Sequence, residues 1–335
     1  MSEQTSRRSF LSKSALAGAA SVTVAASAHA AKGEPRRKLK VGALGATAYS
    51  FWGIWADLLS PEGRAGTDIL NMEISHVWDK DYKEAEKFAE KWGCEAVKNY
   101  DGMIGKVDGV ASGGLYEAPW QHKMFKPYLK AGIPCYLSRP WSGCLRDMDE
   151  MLDLAAKHSA PFMATATYEH YNEADTLGAK LKNIGVIKCV HATDTAGDYP
   201  HFHLKYMLLK ILGYHVDKVA LITNDPMKPN YLQTRGSYTF HISIIGTEGI
   251  EVASMPGNSN WFYRFVPQMM DIQKTIEGKT YQPLDIVRKK FEILVTAYYS
   301  HHECKGAPVK VGTVSADWSY PHVKPGYMDD SLFKD

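Results

Sequence analysis

Residues 38–50, Lys38-Leu39-Lys40-Val41-Gly42-Ala43-Leu44-Gly45-Ala46-Thr47-Ala48-Tyr49-Ser50, decide how the rest of the chain is read. The first seven form an apolar run of the kind buried on both faces of a parallel sheet, and the run breaks at Gly45. Helical periodicity then covers 50–59. A second strand is expected over 72–78, ending on Asp79, and an amphipathic helix over 82–92, closed by Gly93. Strands at 109–112 and 134–137 and helices at 120–130 and 145–158 continue the alternation. Strands and helices alternating at this spacing predict a parallel sheet with right-handed crossovers.

After Pro161 the pattern changes. A strand at 162–167, a helix at 172–183 and a β-rich run at 186–193 lead to a helix at 203–212. Strands are then expected at 218–223, 236–245 and 250–254, clustered as in an antiparallel sheet. The expected fold class is α/β: an N-terminal Rossmann-type parallel sheet and a C-terminal α/β domain with a largely antiparallel open sheet. The boundaries fall at 1–31 for a leader, 37–160 for the first domain and 161–335 for the second.

The leader carries Ser6-Arg7-Arg8-Ser9-Phe10-Leu11, a paired-arginine segment. A weakly apolar stretch over 15–26 follows, and then Ala28-His29-Ala30, an A-x-A cleavage pattern. This is the layout of a twin-arginine signal, and it predicts a periplasmic or secreted protein that folds before export. The stretch is too weakly apolar to supply the roughly 20 strongly apolar residues that cross a bilayer, so no membrane span is expected.

With 45% hydrophobic and 23% charged residues the chain can bury a full core. A net charge of +2 makes no electrostatic case for nucleic acid, and Arg36-Arg37-Lys38 reads as a solvated arm. The five cysteines, Cys94, Cys135, Cys144, Cys189 and Cys304, show no C-x-x-C spacing. They leave open one disulfide, two or none, and argue against a zinc-thiolate centre.

A glycine turn opening a helix, with a carboxylate at the end of the next strand, is the dinucleotide arrangement. Backbone N–H groups meet the pyrophosphate and the carboxylate meets ribose hydroxyls. Gly45 and Asp79 take those two places. The turn residues Thr47 and Ala48 join them as candidate cofactor contacts, although Thr47 stands where the second glycine of G-x-G-x-x-G belongs.

Five further runs carry a resemblance: Gly42-Ala43-Leu44-Gly45, Val77-Trp78-Asp79-Lys80-Asp81, His122, Ala131-Gly132-Ile133-Pro134 and Ser138-Arg139-Pro140. In order and spacing they resemble the Gfo/Idh/MocA family, and His203, ten residues before Gly213, and the closing segment 294–311 extend the likeness over nearly the whole mature chain. The resemblance implies hydride transfer between NAD or NADP, held tightly, and a sugar or polyol, in a homo-oligomer (dimer or tetramer). It implies that His122 and Arg139 touch the cofactor and that His203 is the active-site histidine.

The chain departs from the family where Ser138-Arg139-Pro140 replaces Glu-Lys-Pro. Arginine keeps the charge, but its guanidinium stays protonated throughout the working pH range and does not transfer protons as a depressed lysine does. Arg139 is then expected to hold substrate or cofactor while His203, an imidazole titrating near neutrality, takes the hydroxyl proton. The family's aspartate position falls on Tyr199, with Asp198 beside it, so either residue orients the imidazole.

Glu169 and His170 follow a strand end that in the family faces the substrate, and Trp141 and Tyr49 are the aromatics expected to line the cleft. His201, His301, His302 and Glu303 have no fixed ligand spacing, so no metal site is assigned. The alternative is an NAD-independent lyase or hydrolase on the same scaffold, with a divalent metal entering only in that case.

Overall fold

The computed structural model describes residues 37–46, 52–59, 70–113, 117–194, 202–213, 216–219, 239–256, 261–279, 282–321 and 326–333. Residues 38–335 form one compact unit, and the expected leader, residues 1–31, lies outside the described residues.

Six parallel strands make the principal sheet, in the order β3-β2-β1-β4-β5-β6. They are β1 Leu39–Leu44, β2 Met72–Trp78, β3 Glu95–Ala96, β4 Gly109–Ser112, β5 Cys135–Leu137 and β6 Phe162–Ala164. Between them run helices α1 Trp52–Leu59, α2 Tyr82–Trp92, α3 Gln121–Lys130 and α4 Leu145–His158. The ends of α2 follow from local chemistry. Asp81 caps its first turn by accepting from Lys83 N at 3.0 Å, and Gly93 closes it in the left-handed region at φ 69°.

Side chains alternate across each strand, which divides the core into two layers. Leu44, Trp78, Val110 and Leu137 pack under α3 and α4. Val41, Ala43, Val77, Ala111 and Tyr136 pack under α1 and α2. Each large side chain taken from water contributes about 1.5–3 kcal/mol.

The second half begins with helix α5 Asn172–Lys180, strand β7 Ile187–Asp194 and helix α6 Phe202–Ile211. The short strand β8 Lys218–Val219 comes next, then β9 Thr239–Gly246 and β10 Ile250–Pro256. β7, β9 and β10 form an antiparallel sheet in the order β10-β9-β7. One face, with Ile242 and Ile244, packs on α5 and α6. On the other, Ile245, Ile250 and Val252 are exposed. The open antiparallel sheet anticipated after Leu212 is thus present, and β7 ahead of Leu212 belongs to it.

The chain then returns to the first sheet. Helix α7 Trp261–Ile276, which contains Pro267, covers the α1 face through Phe265, Met269 and Ile272. Gly109 permits the close approach, since a Cβ there would fall 2.7 Å from Ile276 Cγ1. Helix α8 Leu284–His302 covers the α4 face through Val287, Phe291 and Leu294. The closing helix begins ten residues before the expected 294, and β11 Val309–Lys310 pairs with β8. Among the described residues no helix is long and apolar enough to cross a membrane.

Candidate functional site

Ligands of open α/β sheets bind outside the carboxyl ends of the strands, where the strand order reverses, and here that point lies between β1 and β4. Gly45 leaves β1 in the left-handed region at φ 74°, and its N–H donates to the Trp78 carbonyl at 2.9 Å. Asp79 follows Trp78. It is buried, and its Oδ1 accepts from Asp81 N at 3.0 Å. A left-handed turn beside a carboxylate on the neighbouring strand end suits a dinucleotide in frame.

The turn also receives a group from its own chain. Glu117, fully buried just past β4, sets its carboxylate on Gly45, so a Cβ at position 45 would coincide with it. An ionised carboxylate only accepts hydrogen bonds, and a pyrophosphate recruited to the same turn needs donors. The frame fits the dinucleotide; the place of its phosphates is held by Glu117. Thr47, Ala48 and Tyr49 lie outside the described residues.

Beyond β5, Ser138-Arg139-Pro140 is clamped by two polar side chains that sequence reasoning missed. Gln121 Nε2 donates to the carbonyls of Ser138 at 3.2 Å and Pro140 at 3.1 Å. Ser112 Oγ accepts from Ser138 N at 3.1 Å and donates to Gln121 Oε1 at 3.2 Å. The Arg139–Pro140 bond is cis. Arg139 is itself buried, within electrostatic reach of Tyr136 and Tyr206. Burial holds both phenols above their ordinary range, and the Arg139 charge pulls the other way.

Past β6 the chain enters a short turn over Thr167–His170. His170 Nδ1 lies 3.0 Å from Asp271 Oδ2 on α7, and its Nε2 lies 3.1 Å from Thr165 Oγ1. The imidazole is thereby held between a carboxylate and a hydroxyl. Burial pushes the Asp271 carboxyl up, but hydrogen bonds from His170 and Lys274, together with their charges, outweigh it and leave the group below the usual carboxylate range.

Glu169 Oε2 accepts from Lys290 Nζ of α8 at 2.6 Å, with both side chains fully buried. The same ammonium donates to Ala164 O at 3.1 Å and Gln282 Oε1 at 2.9 Å, and lies 4.6 Å from the centre of the Trp141 ring. Burial lowers the Lys290 pKa against the opposing pull of Glu169.

Two expectations change here. Trp141, expected on the cleft wall, is fully buried against Tyr206 and Lys290. Glu169, expected to meet substrate, has no exposed surface and is engaged with Lys290 and Ala166 N. The cause is α8, which closes over this strand end and buries whatever lies beneath it.

His122 opens α3 on the outer side of the strand ends, with Nδ1 3.4 Å from Asp147 Oδ2. It borders a cleft of about 630 Å³ with Trp120, Cys144 and Arg146. Burial lowers its pKa while Asp147 and Glu150 oppose the shift. Asp198, Tyr199 and His201 lie outside the described residues. His203 is the second residue of α6, but its side chain lies outside the description. The His301 and His302 rings meet each other at 4.7 Å, and among the described residues no group of three His, Cys, Asp or Glu is placed to hold a metal ion.

No protein-family model matches the sequence, and no curated protein matches it either. Solved structures do. A probable dehydrogenase from Thermotoga maritima is similar at TM-score 0.61 and 15% identity, over 82% of this chain and 100% of that one. A scyllo-inositol dehydrogenase from Lactobacillus casei, solved with NAD(H) and scyllo-inositol, is similar at TM-score 0.59 and 12% identity, over 82% and 99%. An oxidoreductase from Agrobacterium radiobacter, in complex with NAD+, L-tartaric acid and magnesium, is similar at TM-score 0.58 and 15% identity, over 82% and 99%. At such identities the likeness is one of fold.

Proposed function

We propose that this chain, which has the fold of the Gfo/Idh/MocA oxidoreductases, is an exported oxidoreductase acting on a sugar or polyol with a nicotinamide dinucleotide, NAD or NADP. The observation that carries the reading is the alignment of strand ends: the left-handed Gly45 turn, Asp79 beside it, and the buried cation Arg139 two strands away. Neighbours solved with NAD(H) or NAD+ support it. The paired arginines at Arg7 and Arg8 support export, and the exposed apolar face of the second sheet suits a homo-oligomer.

The dinucleotide, when bound, supplies the hydride acceptor. The chain's own residues bind and handle protons. Arg139 holds an oxygen of the substrate by charge and a forked pair of donors, without giving up a proton. His203 takes the hydroxyl proton, with Asp198 or Tyr199 orienting the ring. Tyr136, Tyr206 and Trp141 keep water from the inner side of Arg139, since all three are fully buried.

A second reading, a carbohydrate lyase or hydrolase that uses no dinucleotide, is favoured by the Glu117 carboxylate on the glycine turn. Protein recovered after export from its own host decides between them. Under the first reading, heat releases NAD or NADP detectable by mass spectrometry, or added dinucleotide at millimolar concentration is reduced in the presence of a polyol. Failure of both sinks it.

A further inference from the structure

We infer that this chain closes its own dinucleotide crevice, with Glu117 at the glycine turn and residues 327–333 across the strand ends, and that a dinucleotide binds in exchange for both. The inference rests on the dinucleotide reading above. Its first support is the Glu117 carboxylate, which fills the space above Gly45 where a phosphate would approach the backbone.

The second support comes from the other end of the sequence. Tyr327 lies with its ring 4.8 Å from Lys80 Nζ, one residue past Asp79. Phe333 packs on Trp78, the last residue of β2, at 6.5 Å, and on Tyr100 at 5.1 Å. Between them Asp330 Oδ1 accepts from Trp120 Nε1 at 3.0 Å and lies 2.9 Å from Lys123 Nζ. The segment therefore spans from the end of β2 to the start of α3. Because β1 stands between β2 and β4, this span crosses the edge of the switch point, the side on which a ribose held by Asp79 and its base would lie.

Charge points the same way. Asp79 and Glu117 put two buried acids at the glycine turn. A doubly negative pyrophosphate brought to this turn meets like charge until Glu117 withdraws. Phe333, tilted against Trp78 and edge-on to Tyr100, and Tyr327 against the Lys80 ammonium meanwhile lay ring carbon over the place a nucleobase would take. Both halves of the ligand thus have internal substitutes, an anion for the phosphates and aromatic carbon for the base.

The test is a calorimetric titration of NADH into the full chain, as wild type, Glu117→Gln, Glu117→Ala and the paired tail variant Tyr327→Ala, Phe333→Ala, each first checked for cooperative unfolding. Removing the like charge is expected to tighten NADH binding by about tenfold or more, and the tail pair by a similar factor. Hydrogen exchange of residues 327–333 is expected to speed up when NADH is added to the wild type. If wild type and all variants bind NADH equally, self-closure is overturned and the dinucleotide reading stands. If none binds at millimolar NADH and heating the wild type releases no dinucleotide, the dinucleotide reading itself falls and self-closure with it. If none binds but heat releases a dinucleotide, the crevice is already filled and self-closure alone is overturned.

Discussion

Lys290 and Glu169 meet at 2.6 Å although 121 residues separate them and neither side chain reaches solvent. Removing one partner strands the other charge in the core, at a cost of about 3–5 kcal/mol. Lys290→Met and Glu169→Gln are each expected to lose that much in urea unfolding. Lys290→Met combined with Glu169→Leu should lose less than either single change. Additive losses would show that the two groups do not act as a pair.

Gly45 and Glu117 form a second pair testable by the same logic. Gly45→Ala meets a left-handed backbone and the Glu117 carboxylate together, and is expected to cost about 2–4 kcal/mol. Combined with Glu117→Ala, only the backbone part, about 1–2 kcal/mol, should remain. A double-mutant cycle with no coupling would place the carboxylate elsewhere in solution.

Acid should find Asp271. Its carboxyl is depressed in the folded chain, so its stabilising effect is present above the unfolded pKa and disappears as the pH falls through the folded one. Between neutrality and about pH 3, stability is expected to drop less in Asp271→Asn than in the wild type, with the difference opening below about pH 4. Parallel pH–stability curves for the two proteins would refute this.

Turnover should separate Arg139 from His203. Arg139→Ala is expected to raise KM for a polyol by roughly tenfold to a hundredfold, as loss of a charged hydrogen bond does, and Arg139→Lys by less. His203→Ala is expected to lower kcat by about a hundredfold or more and to remove the acidic limb of its pH profile, where a protonated imidazole no longer takes the hydroxyl proton. A kcat effect for Arg139 alone, with KM unchanged, would reverse the assigned roles.

Where a residue's fate depends on its near neighbours, the sequence foretold it. β2, α2, β4 and α4 run over the expected residues because Asp81, Gly93 and the apolar periodicity mark their limits locally. β3 has two residues and no pattern of its own, and Pro267 obscured α7. The site was less legible for a related reason. Lys290 reads as an ordinary helix-face lysine until Glu169 is brought to it, and Asp271 gains meaning only from His170, 101 positions earlier. Glu117 carries no local signal at all, since only the approach of β1 and β4 gives it Gly45 as a neighbour.

The return of α7 and α8 to the first sheet has a consequence on the ribosome. Asn71 waits for Gln273, Tyr136 for Gln268 and Ala164 for Lys290, partners lying 202, 132 and 126 positions downstream. At about 5–20 residues per second, tens of seconds pass between synthesis of β1 and of the helices that seal its two faces. Through that interval the nascent sheet shows apolar surface on both sides and is a natural client for a holding chaperone. A route that exports only folded chains would have to wait until translation is nearly complete.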